Sequence, residues 1–144
     1  MPGFQLEAPE GDRVRIADEQ ARVAADVLGR LAVLEVGATV VERVGPGLWR
    51  VVVRGTNTGY FPTSLAIGEK ARRLTPIVVS VGLPVERIAS GEVRQRWGRI
   101  DGSGAFAESE WLLLAPDGSA VEFEVRSALL GDRRLSVTLE EAAQ

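Results

Sequence analysis

The second half of the chain is a succession of short segments in which apolar and polar residues alternate, and most of these segments end at glycine or proline. Alternation with a period of two is typical of a β-strand that has one buried and one solvent-facing side. Pro116-Asp117-Gly118 and Gly131-Asp132 read as the turns between the three most regular segments. The residues predicted to face inward in these segments are Ala107, Ser109, Trp111 and Leu113, then Val121, Phe123 and Val125, then Leu135, Val137 and Leu139.

The first half contains further segments of the same kind. Gly45-Pro46-Gly47 joins two of them as an antiparallel hairpin, in which Leu34, Val36, Ala38 and Val40 share one face. Trp49 on the second arm is expected to pack in the core rather than to contact a ligand. The predicted strands before residue 100 are Leu34–Val40, Leu48–Arg54, Ile77–Leu83, Arg87–Ala89 and Val93–Trp97, the last with Arg94 and Arg96 along one face.

About seven or eight short strands at a spacing of roughly 8–12 residues indicate an immunoglobulin/fibronectin-like antiparallel β-sandwich. A chain of 144 residues is long enough for one domain of this kind with a sizeable core. We assign the sandwich to residues 33–140 and expect the tail at 141–144 to fray.

One amphipathic helix is predicted ahead of the sandwich, over residues 18–32. Asp18 is its expected N-cap, and Ala24, Val27, Leu28 and Leu31 recur along one face. Residues 1–17 carry Pro9 and Gly11 and are expected to form an extended lead-in. The apolar stripe of the helix must cover something, either the open end of the sandwich or a preceding domain.

The stretch Asn57–Thr63 stands between the hairpin and the later strands. Asn57 and Gly59 are expected to adopt positive φ in a tight turn, and Tyr60 and Phe61 to plug the crossover between the sheets. Ser64–Thr75 is polar and is expected to be a loop or one short helical turn. Its basic cluster of Lys70, Arg72 and Arg73 is more simply a solvated connection than a phosphate site.

Composition removes several classes of function. The chain has no histidine and no cysteine, so imidazole bases, Ser-His-Asp triads, thiolate metal sites and disulfides are excluded. A net charge of −3 gives no electrostatic reason to expect nucleic acid or an anionic membrane as a partner. No apolar run reaches the about 20 residues of a membrane span, and no signal peptide is visible.

Three side-chain groups are candidates for functional sites. Glu108 and Glu110 would share a strand face, with Glu122 and Glu124 on the next strand as candidate neighbours, but paired carboxylates on a strand more often mark a wet face, paired across strands with Arg94, Arg96 or Arg126. The bend at Gly98–Gly104 offers one carboxylate, Asp101, which is too few for Ca²⁺. Tyr60, Trp97 and Trp111 would make a carbohydrate platform if exposed, although core packing is expected for most of them. We therefore predict no enzyme, no metal site and no cofactor.

The amino-acid sequence of the central stretch resembles that of a known protein family. Val51–Thr63, which ends in Asn-Thr-Gly, two aromatic residues and Pro-Thr, and then Arg73–Val79 are similar to the C-terminal β-sandwich of bacterial zinc carboxypeptidase-like proteins. Leu83-Pro84, Ser90-Gly91 and Gly98 follow in similar order, and Leu31–Val36 resembles the join out of the peptidase domain. The similarity covers most of Asp18 to Leu139, with departures at Gly55 and Thr75.

The resemblance implies an accessory domain. In that family two histidines and a glutamate hold the zinc and a second glutamate is the general base, and no histidine of this chain can take those roles. The implied partner is a catalytic peptidase domain in cis, and the implied location is outside the cytoplasm. The alternative is a stand-alone adhesion or carbohydrate-binding module of the same fold, with a protein or polysaccharide ligand. An unpaired edge strand would offer either protein a route to a homodimer.

Overall fold

The computed structural model describes residues 10–71 and 75–141. The chain divides into a helical unit that ends at Leu31 and a β unit that begins at Ala32. Three of the predictions above fall wholly or partly outside the described residues: the lead-in before Glu10, Arg72 and Arg73 of the basic cluster, and the tail after Glu141.

Helix α1 spans Glu10–Gly29, so the prediction of an extended lead-in is wrong from residue 10 onward, and Asp18 lies inside the helix instead of capping it. Arg15 stabilises the early turns because its guanidinium lies 3.5 Å from the Asp12 carboxylate and 3.6 Å from the Glu19 carboxylate. Ile16 also extends the apolar stripe toward the N-terminus. No helix in the described ranges is long and apolar enough to cross a membrane.

The β unit is a sandwich of two four-stranded antiparallel sheets, which confirms the predicted immunoglobulin/fibronectin-like fold. The first sheet has the order β1 (Leu34–Gly45), β2 (Leu48–Asn57), β6 (Ala105–Leu114), β4 (Ile88–Ser90). The second has the order β5 (Arg94–Trp97), β3 (Ile77–Val81), β7 (Ala120–Arg126), β8 (Arg133–Thr138). Helix α2 (Ala66–Lys70) and a 3₁₀ turn (Val85–Arg87) lie in the connections.

The core lies between the two sheets and contains most of the residues that alternation placed inward, together with Ile100 and Ala115 from the connections. All three tryptophans are buried, which confirms the core prediction for Trp49, Trp97 and Trp111. Leu83 lies beyond the end of β3 but still packs against the core. The buried hydrophobic residues of the last three strands and the residue after them are Trp111, Leu113, Val121, Phe123, Val125, Val137 and Leu139.

Strand β1 departs from simple alternation because it contains a β-bulge. Ala38 pairs with Val53 and Val40 pairs with Val52, so Thr39 is an extra residue without a partner of its own. The bulge reverses the facing of the residues that follow, and Val41 packs against the core where Val40 was expected. The prediction of one face from Leu34 to Val40 is therefore wrong beyond Ala38.

Candidate functional site

Asn57 is the last residue of β2 and is completely buried. Its Oδ1 accepts hydrogen bonds from the backbone amides of Val33 at 3.0 Å and Gly59 at 3.1 Å. Its Nδ2 donates to the carbonyls of Phe61 at 2.8 Å and Asp101 at 3.1 Å, with a longer bond to Ile100. One amide side chain thus joins the entry to β1, the turn after β2 and the loop before β6.

The expectation of positive φ at Asn57 and Gly59 is wrong. The positive φ values in the described residues fall at Ser103 and at five glycines, Gly47, Gly91, Gly104, Gly118 and Gly131. The chain turns after Asn57 because side-chain hydrogen bonds hold it, so no left-handed residue is required there. Asn57 therefore forms the turn as predicted, but through its side-chain hydrogen bonds and not through a positive φ.

The loop at residues 98–104 lies directly against the Asn57–Thr63 stretch. The Thr63 amide donates to the Ile100 carbonyl and the Ile100 amide donates to Thr63 Oγ1, both at 2.9 Å. A Cβ on Gly102 would overlap the Tyr60 carbonyl, so only glycine permits this approach. The two loops therefore form one rigid end of the sandwich.

Tyr60 and Phe61 point out from this rigid end and do not plug the crossover as predicted. Tyr60 is 63% exposed and Phe61 is 38% exposed, with their rings edge to face at a centroid distance of 5.7 Å. Leu65 and Ile67, a few residues further on, are also exposed. Alternation rules do not apply to a loop, so sequence reasoning had no signal for the direction of these side chains.

The four glutamates weighed as acid/base candidates do not converge. Strands β6 and β7 belong to different sheets, so Glu108 and Glu110 lie on the outer side of one sheet while Glu122 and Glu124 lie on the outer side of the other. The suggested proximity of the two pairs is wrong. A turn between two alternating segments looks the same in sequence whether it forms a hairpin in one sheet or crosses between sheets.

The outer side of the first sheet carries ion pairs that cross its strands. Arg50 Nε lies 3.0 Å from Glu110 Oε1, and Arg50 also faces Glu42 at 3.7 Å. Arg54 pairs with Glu108 at 2.7 Å and lies 4.2 Å from the centre of the Phe106 ring. The hydrogen bond from Arg50 lowers the pKa of the Glu110 carboxyl, and the same bond raises the pKa of Arg50.

The outer side of the second sheet is rich in arginine, as the sequence predicted for β5. Arg94 and Arg96 are exposed there, and neither forms an ion pair with a described residue, contrary to the suggested pairing. Arg126 pairs at 2.9 Å with Glu124 of its own strand and not across strands as predicted. An open groove of about 430 Å³ is lined by Arg94, Ser80 and Arg126 among other residues.

Gly55 and Trp97 form a packing pair that sequence reasoning missed. A Cβ on Gly55 would overlap the Trp97 ring, because that ring crosses from the second sheet onto the backbone of β2. The Trp97 Nε1 donates to Ser109 Oγ at 2.8 Å, which anchors the ring to the first sheet. The absence of a side chain at Gly55 is thus required by the tryptophan opposite it.

No group of three or more acidic side chains comes together in the described ranges. Asp101, the single carboxylate considered for calcium, pairs with Arg99 at 2.9 Å. The features that remain available to a partner are the exposed aromatic end of the sandwich, the apolar stripe of α1 and the arginine-rich sheet face.

Comparison with known proteins gives a family for the sandwich. No curated protein matches the chain. A family model described as a domain of unknown function, DUF8731, matches residues 33–138, which is most of the chain and nearly the whole β unit. The chain therefore belongs to the DUF8731 family.

Proposed function

We propose that this chain is a non-catalytic accessory β-sandwich domain that packs on a zinc carboxypeptidase-like peptidase domain and supports its folding or its presentation to a substrate or surface. The peptidase class rests on the resemblance of Val51–Thr63 and Arg73–Val79 to the C-terminal sandwich of those proteins. The accessory role rests on apolar surface in both units of the chain.

The observation that carries the proposal is the apolar stripe of α1. Its members within the helix, Ile16, Val23, Val27 and Leu28, recur along one side of 20 residues, and Leu31 follows two residues after the helix ends. A single helix cannot cover its own apolar side, and the described residues of its unit, 10–31, contain no second element to do so. A partner domain against this stripe would remove that surface from water.

The rigid end of the sandwich supports the same role. Tyr60 and Phe61 are exposed there, and Leu65 and Ile67, a few residues further along the chain, are exposed as well. Val33, where the chain enters β1, is tied to this end because the Thr58 amide donates to its carbonyl at 2.9 Å. A domain that precedes this chain would be tethered beside an apolar surface that is already rigid.

The first test is the open reading frame that contains this chain. We expect an upstream peptidase domain with a His-x-x-Glu motif in the same frame. A gene that encodes only a protein of this length overturns the proposal.

The second test is binding. The upstream domain, made separately, should gain thermal stability when this chain is added, because docking buries apolar surface on both. Leu28→Gln should weaken the effect, whereas Arg22→Gln, which places the same residue on the polar side of α1, should leave it unchanged. Equal effects of both variants would contradict docking through the stripe.

A second candidate is a carbohydrate-binding or adhesion module, and it is favoured by one observation, the exposed Tyr60–Phe61 pair. Aromatic rings at the surface stack on sugar rings. The three tryptophans are buried, so the reporter of binding has to be Tyr60. This function is supported if the native chain binds polysaccharide and the variants Tyr60→Ala and Phe61→Ala do not. It is contradicted if the native chain binds no polysaccharide.

A further inference from the structure

The outer side of the second sheet concentrates positive charge in a chain whose net charge is −3. Two rows of side chains cross the strands. Arg96, Val78 and Arg126 lie in one row, and Arg94, Ser80, Glu124 and Arg134 lie in the next. We call Arg94, Arg96 and Arg126, with the groove beside them, the arginine face.

The acidic residues near the arginine face do not neutralise all of it. Glu124 is shared between Arg126 at 2.9 Å and Arg134 at 3.8 Å. Arg94 lies two strands away from Glu124, a distance of about 9–10 Å between strand axes. Arg94 and Arg96, both exposed, thus keep their positive charges without an acidic partner in the described part of the chain.

Strand β5, which carries these two arginines, is also an edge of its sheet. Within the described residues it pairs with β3 on one side, and no strand lies on its other side. Its inner side is fixed, because Gln95 Nε2 donates to the Glu110 carbonyl at 3.1 Å and Trp97 Nε1 donates to Ser109 Oγ at 2.8 Å. The edge is therefore held in place while its outward backbone groups stay open to pairing.

We propose that β5 accepts an extended acidic segment of another protein as an added strand, with carboxylates at alternate positions paired to Arg94 and Arg96. A strand added beside β5 places every second side chain on the arginine face, about 4.5–5.5 Å from its cross-strand neighbour. Arginine binds carboxylates through two parallel hydrogen bonds, which favours glutamate or aspartate at those positions.

Charge also determines which kind of strand pairs best with this edge. Two copies of β5 side by side would oppose arginine to arginine on the same face, which disfavours pairing with itself. An uncharged strand would pair with the backbone but leave both arginines without carboxylates. An acidic strand is the occupant for which backbone and side chains are both complementary. The inference is independent of the peptidase proposal, since it concerns a different surface.

The test uses the full chain and short synthetic peptides, with binding followed by fluorescence anisotropy. One peptide alternates glutamate and threonine, a second has the same composition with its glutamates in one block, and a third has glutamine in place of glutamate. The alternating acidic peptide should bind tightest, and its affinity should fall as salt is added. Equal binding of the block peptide or of heparin would reduce the face to a general anion surface and overturn the proposal.

Variants place the binding on β5. The double variant Arg94→Gln/Arg96→Gln should weaken binding of the alternating peptide about tenfold, the scale of two partly exposed ion pairs. Arg133→Gln, the same change at the opposite edge of the sheet, should leave it unchanged. Circular dichroism of the double variant should match the native chain, because both side chains are exposed. No binding by the native chain, or equal binding by the double variant, overturns the proposal.

Discussion

Asn57 organises one end of the sandwich through its side chain. It is fully buried, and both its carbonyl and its amide group are bonded to backbone that comes from three separate parts of the chain. Buried backbone groups that lose their partner are costly, since water cannot replace it. The cost of changing Asn57 should therefore exceed that of losing one hydrogen bond.

We expect Asn57→Ala to lower the free energy of unfolding by about 3 kcal/mol, because several backbone groups lose their partner at once. Asn57→Asp has the same shape but points a carboxylate at carbonyl oxygens. Its folded-state pKa should be raised, so its deficit relative to the native chain should be largest at neutral pH and narrow as the carboxyl is protonated. Urea unfolding over a range of pH measures both effects.

Thr58→Ala is the matched control, because Thr58 is exposed and its side-chain hydrogen bonds are long, at 3.4 and 3.5 Å. A change within about 0.5 kcal/mol is expected there. An Asn57→Ala variant as stable as Thr58→Ala would contradict the structural role assigned to this side chain.

Gly55 is required by the ring of Trp97. Gly55→Ala should cost about 1–3 kcal/mol because its methyl group would occupy the space of the ring. Gly37→Ala, on the edge strand β1, is the control, since no atom lies within 4 Å of the added Cβ. The effect of Gly55→Ala should shrink in a Trp97→Leu background, and full additivity in this double-mutant cycle would refute the contact.

Trp49 and Trp97 are equally buried but differ in the state of the indole N–H. Trp97 Nε1 donates to Ser109 Oγ, whereas Trp49 Nε1 is buried without a partner in the described part of the chain. Replacing Trp49 by phenylalanine removes an unsatisfied donor, and replacing Trp97 leaves Ser109 without its donor. In denaturant unfolding, Trp49→Phe should therefore lower the free energy of unfolding by about 1–2 kcal/mol less than Trp97→Phe does. The reverse order would contradict this comparison.

At the scale of elements, alternation predicted the strands well where both sides of a strand are regular. The inward residues of β7 and β8 are predictable from the sequence because each inward residue is followed by a polar one, as Val121, Phe123 and Val125 are in β7. In β1 alternation does not predict the inward residues after Ala38, because Val40 and Val41 are both apolar and either of them can face the core. The start of α1 was missed because Gly11 and several charges look like a loop, while ion pairs such as Arg15–Glu19 form only once the helix exists.

The ion pair between Arg50 on β2 and Glu110 on β6 makes the stability of the first sheet depend on pH. The pKa of Glu110 is lowered in the folded chain, mainly by its hydrogen bond with Arg50. The contribution to stability is therefore present above the unfolded-state pKa of glutamate and is lost as the pH falls through the folded value. The raised pKa of Arg50 acts only at strongly alkaline pH.

We expect Glu110→Gln to lower the Tm at neutral pH and to reduce the loss of Tm on acidification. The difference from the native chain should vanish in strong acid and shrink in high salt, because the pair is largely exposed. Glu122→Gln, which removes a carboxylate without an ion pair in the described residues, is the control. Parallel Tm curves for Glu110→Gln and the native chain would contradict the coupling.

At the scale of the molecule, the strands are predictable from the sequence, but the sheet to which each strand belongs is not. Glu108 and Glu122 are close in sequence and alternate in the same way, yet they lie on opposite outer surfaces because the chain crosses between the sheets at Pro116–Gly118. The choice depends on which faces bury one another, which is a property of the complete core. The same limit applied to Tyr60 and Phe61, whose exposure follows from the clamp that Asn57 and Gly102 impose on two distant loops.

Because the chain divides between Leu31 and Ala32, a truncation there can tell whether the helix packs on a partner domain or on the sandwich. Every member of the buried core lies at Leu34 or beyond, so a chain that begins at Ala32 keeps the whole core. If the stripe of α1 belongs to a partner domain, this shortened chain should unfold within about 2 °C of the full chain in calorimetry. A much lower Tm would show that α1 covers the sandwich itself. A chain that begins at Leu34 is the control, since it loses the Val33 amide that donates to Asn57 Oδ1 and should be less stable in either case.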